Sequence, residues 1–322
     1  MRYARLAVFA TLLVAAPAFG QAESYPSKPI RVIVPTVAGG ALDNVARQVA
    51  QRMGERLGQP LVVENRGGAA GVIGMDAVAK SAPDGYTVCF CAAPIALNTA
   101  LGLKLPYDAE RDFAPVSLVA SIPALIAVHP STQWRSIRDV LEAAKTTPGG
   151  VSFAYANVGA ITHLMGEALK AKSGADMTGI AYKGAGQAIQ DVLSGRVPVF
   201  FDAIIPTGPQ VQAGKLRGIA IASTKRSPLL PEVATVVEQG FPELVGSGFY
   251  GVVAPGKSPQ PVVVKLHAAV VAAVNQTDVR EKLLAQGYEV HASTPEEYAA
   301  YIRREIERWT PVVKAAGIKV EQ

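Results

Sequence analysis

The sequence predicts an α/β protein built as two lobes joined by two crossing strands. Three observations predict it. Short apolar strands alternate with amphipathic helices twice over, in residues 30–91 and again in 151–222. Between these blocks, Phe113 to Trp134 runs without an Asp, Glu, Lys or Arg. After the second block, Gly248 to Ala254 is another apolar strand, so the chain crosses from one lobe to the other and returns.

The elements follow in order. Ile30 to Val34 is a near-continuous apolar strand. The helix behind it carries Leu42, Val45, Ala46, Val49 and Met53 at i, i+3, i+4 spacing, and Gly58 can end it. Leu61 to Val63 is a strand, Gly71 to Ala79 a helix, and Tyr86 to Cys91 a strand entered through the turn Pro83-Asp84-Gly85. Strands apolar on both faces belong to a parallel sheet covered by helices. In Phe113 to Trp134, Pro115, Pro123 and Pro130 break helix hydrogen bonding, so the segment reads as extended and buried rather than as a membrane span. Val151 to Tyr155, Gly179 to Tyr182, Val197 to Phe201 and Leu216 to Ala222 are strands of the second lobe. Ile161 to Lys172 and Ala185 to Leu193 are its helices. Pro261 to Val274 is helical, and Thr294-Pro295-Glu296-Glu297 is a capping box. The helix it opens puts Tyr298, Tyr301, Ile302, Ile306 and Trp309 on one face, which suits packing against the first lobe. The expected division is residues 21–122 with 249–322 as lobe one and 123–248 as lobe two.

Residues 1–20 have the layout of a secretory signal peptide. Arg2 and Arg5 precede the uncharged apolar run Leu6 to Ala16, and Ala18-Phe19-Gly20 places small residues before a cut at Gln21, with Ala22 as an alternative site. The run is too short for the ~20 residues that span a bilayer. The mature chain is therefore expected to be exported and soluble. The formal net charge of +5 falls by two arginines on cleavage. Cys89 and Cys91 lie on one face of a strand at the limit of disulfide reach, which favours two buried thiols over a strained bond or a redox pair.

No G-x-S-x-G, H-E-x-x-H or G-x-x-x-x-G-K-[ST] motif is present, so nothing points to an enzyme or a cofactor. The four His are scattered without metal-ligand spacing. Gly184-Ala185-Gly186 begins like a dinucleotide loop, but Ile189 stands where a third glycine belongs. Lys225-Arg226 and Arg303-Arg304 are the adjacent basic pairs, and no basic stripe with interleaved aromatics marks a nucleic-acid surface. The positive excess favours an anionic small ligand. Three glycine-bearing turns lead from strand to helix: Pro35 to Asp43, Asn157 to His163, and Tyr182 to Gly186. Glycines let amides turn toward a bound atom, and helix N-termini supply free N–H groups. Such turns can hold an anion without a charged side chain.

An ordered set of short motifs spans nearly the whole mature chain. It runs from Tyr25-Pro-Ser-Lys-Pro-Ile-Arg-Val-Ile-Val-Pro35 and Gly39-Gly40-x-x-Asp43 through Gly58-Gln-Pro-Leu-Val-Val-Glu-Asn-Arg66, Ala82-Pro-Asp-Gly-Tyr86 and Leu105-Pro-Tyr-Asp108. It continues with Asp112-Phe-Ala-Pro-Val116, Thr162-His163, Tyr182-Lys-Gly184, Phe201-Asp202, Ala213-Gly-Lys-Leu-Arg217 and Lys225-Arg-Ser-Pro228. In this set the chain resembles the Bug-type extracytoplasmic solute receptors of tripartite tricarboxylate transporters. The resemblance implies a type II periplasmic binding protein with two doubly wound lobes. It implies capture of a small organic carboxylate between the lobes, for delivery to the membrane permease subunits of a tripartite transporter. It implies a first loop of Thr36 to Asp43, including Ala38, with Gly39 and Gly40 as backbone donors and Asp43 as cap or brace. Ala93 follows the third strand. Asn157, Gly159, Thr162, His163, Tyr182, Gly184 and Asp202 are the lobe-two counterparts, and Lys183 is the one cation beside them. A monomer is the expected state.

The sequence also departs from the family pattern. Thr36, Ala38 and Ala41 replace the Phe, Pro and hydroxyl residue usual in the first loop. Ala92-Ala93-Pro94 lacks the small polar residues common there, and Ala203 replaces an Asn. Several polar side chains are missing together, which points to a ligand with one carboxylate and a less polar, aromatic or branched remainder. A role as ligand-sensing co-receptor for a membrane sensor kinase would use the same closed form.

Overall fold

The computed structural model describes residues 25–320; the leader and both of its candidate cut sites lie outside them. The two βα blocks form as the hydrophobic pattern dictates. β1 (Ile30–Val34), β2 (Leu61–Asn65) and β3 (Thr87–Ala92) are parallel and alternate with α1 (Ala41–Leu57) and α2 (Val72–Ala79). A short helix, α3 (Pro94–Ala100), follows β3. The second block is β5 (Val151–Ala156), α5 (Ile161–Ser173), β6 (Met177–Tyr182), α6 (Ala185–Leu193), β7 (Val199–Ala203), α7 (Ile204–Gln212) and β8 (Arg217–Ile221). It is preceded by α4 (Ile137–Thr146), which the Ser136–Asp139 capping box starts.

Two strands cross between the blocks. β4 (Phe113–Val128) is one uninterrupted 16-residue strand, and β9 (Ser247–Pro255) returns beside it, antiparallel. Phe113 is paired with Pro255 at one end and Pro123 with Ser247 at the other. β4 changes partners along its length. Its first part lies between β9 and β10 (Glu289–Val290), and Ala124 to Val128 lie between β7 and β8. The strand order is β2-β1-β3-β9-β4-β7-β5-β6.

This register aims both blocks at one cleft. Ala92, at the carboxyl end of β3, is level with Ala120 of β4 through Tyr250. Ala203, at the carboxyl end of β7, is level with Ala124. The carboxyl ends of β1–β3 therefore face those of β5–β7 across four residues of β4, or about 13 Å at ~3.3 Å per residue. Ligands in open α/β sheets bind outside such strand ends.

α8 (Gln260–Val274) packs on α1, and α9 (Thr277–Ala285) leads to β10. Thr294 and Glu297 form the expected capping box of α10 (Pro295–Ala316). Tyr298, Ile302 and Trp309 are buried in the core beneath α3 and β4, with Tyr301 and Ile306 packed against it. The helix thus returns to lobe one, and it also ties the lobes together behind the cleft. Arg308 donates to the carbonyl of Glu243 in lobe two. Cys89 and Cys91 are buried free thiols on one face of β3, as the pattern favoured. Among the described residues no single helix is long and apolar enough to cross a membrane.

The fit of α10 on β9 requires a glycine. A Cβ at Gly251 would lie 2.4 Å from the fully buried ring of Tyr298. Overpacking of this kind costs about 1–3 kcal/mol. Gly251→Ala is expected to lower Tm by several degrees, read by calorimetry; an unchanged Tm would contradict this packing.

Candidate functional site

A cavity of about 480 Å³ opens at the carboxyl ends of β1, β2 and β3. Thr36, Val37 and Ala41 line it from the first loop, and Gly67, Gly68 and Gly71 from the loop after β2. Ala92 and Pro94 contribute from the end of β3, and Tyr250 from the crossing strand β9. Leu42, Met75 and Ile95 complete its apolar wall. The first turn of the 17-residue helix α1 begins at Ala41, so its amides, which have no partner within the helix, lie at this cavity.

The first loop is braced from within. Asp43 is 2% exposed, and its carboxylate accepts from the Gly39 amide at 2.8 Å, Arg47 Nε at 3.0 Å and Asn65 Nδ2 at 2.8 Å. Burial pushes its carboxyl up, but the Arg47, Gly39 and Asn65 bonds outweigh that and hold it below the usual carboxylate range. Asp43 thus braces the first loop against α1 and β2. Gly39 sits at φ +82° with its amide already committed to that brace. Gly40 caps α1 in an extended conformation, and a Cβ there would meet nothing closer than Val37 O at 3.7 Å. Ala38, Gly39, Gly40 and Ala93 flank the cavity in sequence, while Thr36, Ala41, Ala92 and Pro94 line it.

The loop after β2 is the part of the site that sequence reasoning missed. Gly68, Ala69, Ala70 and Gly71 all have positive φ. Left-handed backbone costs an alanine roughly 1–2 kcal/mol, so two in succession mark stored strain of the kind found at binding sites. Asn98 Nδ2 holds the loop through the Ala70 carbonyl at 3.2 Å. A Cβ at Gly67 would lie 3.1 Å from the Thr36 backbone, so the two loops touch. The signal was present as Gly67-Gly68-Ala69-Ala70-Gly71, five small residues in a row.

The lobe-two residues sit on loops facing this cavity, and many of their polar groups are already used. Asn157 is exposed in a left-handed conformation (φ +63°). The amide of Gly159 donates to His163 Nδ1 at 3.1 Å, and a Cβ there would press on Leu101 and Val320. Gly159 is therefore an inter-lobe contact rather than an open donor. The ring of His163 stacks on Tyr155 with centroids 4.1 Å apart, and burial pulls its pKa down to about 4, so it is neutral at pH 7. Thr162 is buried beside it. The hydroxyl of Tyr182 donates to Asp191 at 2.9 Å. Gly184, at φ +107°, opens α6, and Lys183 before it is exposed. Asp202 accepts from Thr207 at 3.1 Å, and burial pushes its carboxyl up to about 6. The structure does not gather these seven residues into one lining; it distributes them over three loop ends.

Because Asp43 titrates below its unfolded value, its contribution is present above pH ~4 and is lost as pH falls through the folded pKa. Asp43→Asn is expected to destabilise by about 1–3 kcal/mol at pH 7. The urea-midpoint gap to the parent chain should narrow toward pH 3. An equal gap at both pH values would contradict the charged brace.

The comparisons with known proteins agree with this geometry. Residues 45–318 match the family described as tripartite tricarboxylate transporter family receptor. The chain is 38% identical to protein BugT of Bordetella pertussis over 314 residues, covering 97% of this chain and 96% of that one. It is similar to MatC from Rhodopseudomonas palustris, solved with bound malate, at 32% identity and a TM-score of 0.72, covering 90% of this chain and 100% of that one. It is also similar to R. palustris Rpa4515, solved with adipate, at 32% identity and a TM-score of 0.75, covering 91% and 99%. The family is one of receptors rather than enzymes, and a further similar structure is that of periplasmic binding protein BugD, at 33% identity and a TM-score of 0.72, covering 92% of this chain and 100% of that one. The chain belongs to the receptor family of the tripartite tricarboxylate transporters.

Proposed function

We propose that this chain is the periplasmic receptor that captures a small organic carboxylate between its lobes and delivers it to the permease subunits of a tripartite transporter. The single observation that carries the ligand class is the cavity over the start of α1. It offers helix-end amides and the Thr36 hydroxyl, and none of its lining side chains is charged. Amides and a helix dipole hold one carboxylate well. The malate and adipate in MatC and Rpa4515 support this reading.

Residues 21–122 with 249–322 form one lobe and 123–248 the other, and the hinge is the segment where β4 changes partners. Residues 1–20 are removed on export, and the receptor works as a monomer. Thr36, Gly40 and Asn157 are the positions expected nearest the ligand, with Asp43, Gly39, Gly159, Thr162, His163, Tyr182 and Asp202 holding the loops in shape. Gly184 and Lys183 face the cleft from the start of α6, and Ala38 and Ala93 leave room for the ligand body.

Thermal unfolding of the mature protein against mono-, di- and tricarboxylates and their matched amides tests this. A ligand at ~100 times its Kd adds about 2.7 kcal/mol, so at least one acid is expected to raise Tm by several degrees while its amide does not. Gly40→Phe fits the backbone and is expected to abolish that shift without lowering the Tm of the free protein. Shifts of equal size with amides, or an unaffected Gly40→Phe, would contradict the assignment.

A further inference from the structure

We infer that the cleft selects monocarboxylates with an apolar aryl or branched-alkyl body and discriminates against di- and tricarboxylates. This rests on the carboxylate reading above and adds the chemistry of the rest of the ligand.

Few polar side chains line the cavity. Thr36 and Tyr250 are its two lining residues with polar side chains, and Tyr250 is itself largely buried, its ring 6.0 Å from that of Tyr288. The backbone donors come from the start of α1 and from the loop after β2, and these two loops meet at Thr36 and Gly67. They converge on one anion. Leu42, Met75, Pro94 and Ile95, which also line the cavity, have no donor side chain.

The rim continues this character. Six large apolar side chains are exposed among the described residues, and three of them flank the cleft loops. Val37 is 73% exposed on the first loop, Ile73 is 55% exposed beside Gly68, and Val158 is 42% exposed on the facing lobe-two loop. Closure would bring an apolar rim onto the ligand from both sides. Such side chains gain by covering an apolar body and gain nothing by covering a carboxylate.

Cations that could neutralise a second carboxylate are scarce. On the loops at the strand ends they are Arg66, Lys183 and, after β8, Lys225 and Arg226, of which Arg226 is held by Glu238 and Lys225 is exposed. Arg66 is engaged by Glu64 at 2.6 Å. Arg47, one turn into α1, is held by Asp43 and by Asn65. Lys183 is exposed on the rim of the other lobe. A second carboxylate inside the cavity would lose its water without a paired charge, which is among the costliest burials a site can make.

Calorimetric titration of the mature protein with benzoate, isovalerate, malate, adipate and benzamide tests the inference. Benzoate or isovalerate is expected to bind at least tenfold tighter than malate and adipate, and benzamide at least tenfold weaker than benzoate. Val37→Lys changes an exposed side chain and leaves the fold intact. It is expected to weaken the monocarboxylates and to narrow or reverse the gap to adipate. Malate or adipate binding as tightly as both monocarboxylates would overturn the inference and leave the carboxylate reading standing. Benzamide matching benzoate, or none of the four acids binding, would overturn the carboxylate reading as well.

Discussion

The pairing of β4 with β9 is the constraint on which the rest of the molecule depends. Each strand serves both lobes, so their antiparallel register fixes where one sheet stops and the other begins. β3 docks on β9, and β7 docks on the far half of β4. Those two contacts turn the carboxyl ends of both sets of parallel strands toward each other. The cleft is a consequence of register, and loop residues then decide what it holds. Glu289 of β10 reinforces the junction. Its carboxylate accepts from Ser121 of β4 at 2.9 Å and from Ser223 just beyond β8, so one side chain joins hydroxyls from both sides of the crossover. His291 Nε2 lies 2.8 Å from the same Ser121 hydroxyl.

Within the cleft, the division between braces and open donors follows from hydrogen-bond accounting. A glycine loop exposes several amides, but a polar side chain four residues on can claim one. Asp43 claims the amide of Gly39, and His163 that of Gly159. The loops are thereby rigid before any ligand arrives, which lowers the ordering cost of binding. What stays available is the start of α1, the Thr36 hydroxyl and the strained turn at Gly68 to Gly71. A site that depends on backbone donors in this way leaves ligand choice to the apolar wall and rim.

Much of the fold was legible because period and composition agreed. β1 and α6 fall at the residues the pattern indicated, and β4 spans Phe113 to Val128 in spite of two internal prolines. Several elements that escaped notice lack such agreement, although α4 shows it, with Ile137, Val140, Leu141 and Ala144 buried on one stripe behind its cap. α3 is nearly uniformly apolar and too short to show a period, and α7 carries Pro206 and Pro209. β10 is two residues long and exists only because β4 has a free edge. In the site, the first loop was legible from its glycines and from Asp43. The contribution of Tyr250 was not, because it depends on strand register that composition does not carry. Nor could the sequence show that Tyr182 is tied to Asp191, since that bond requires the strand end and the last turn of α6 to meet in space.

The central claim is that one ligand carboxylate sits at the start of α1 beside Thr36. The most direct measurement is a crystal structure of the mature protein with whichever acid raises its stability most. The account predicts both carboxylate oxygens within hydrogen-bond distance of first-turn amides of α1 or the Thr36 hydroxyl, directly or through one water, with the ligand body against Met75 and Ile95. A carboxylate held instead by Lys183 at the mouth of lobe two, or in the separate hollow beside Tyr107 and Arg111, would contradict it.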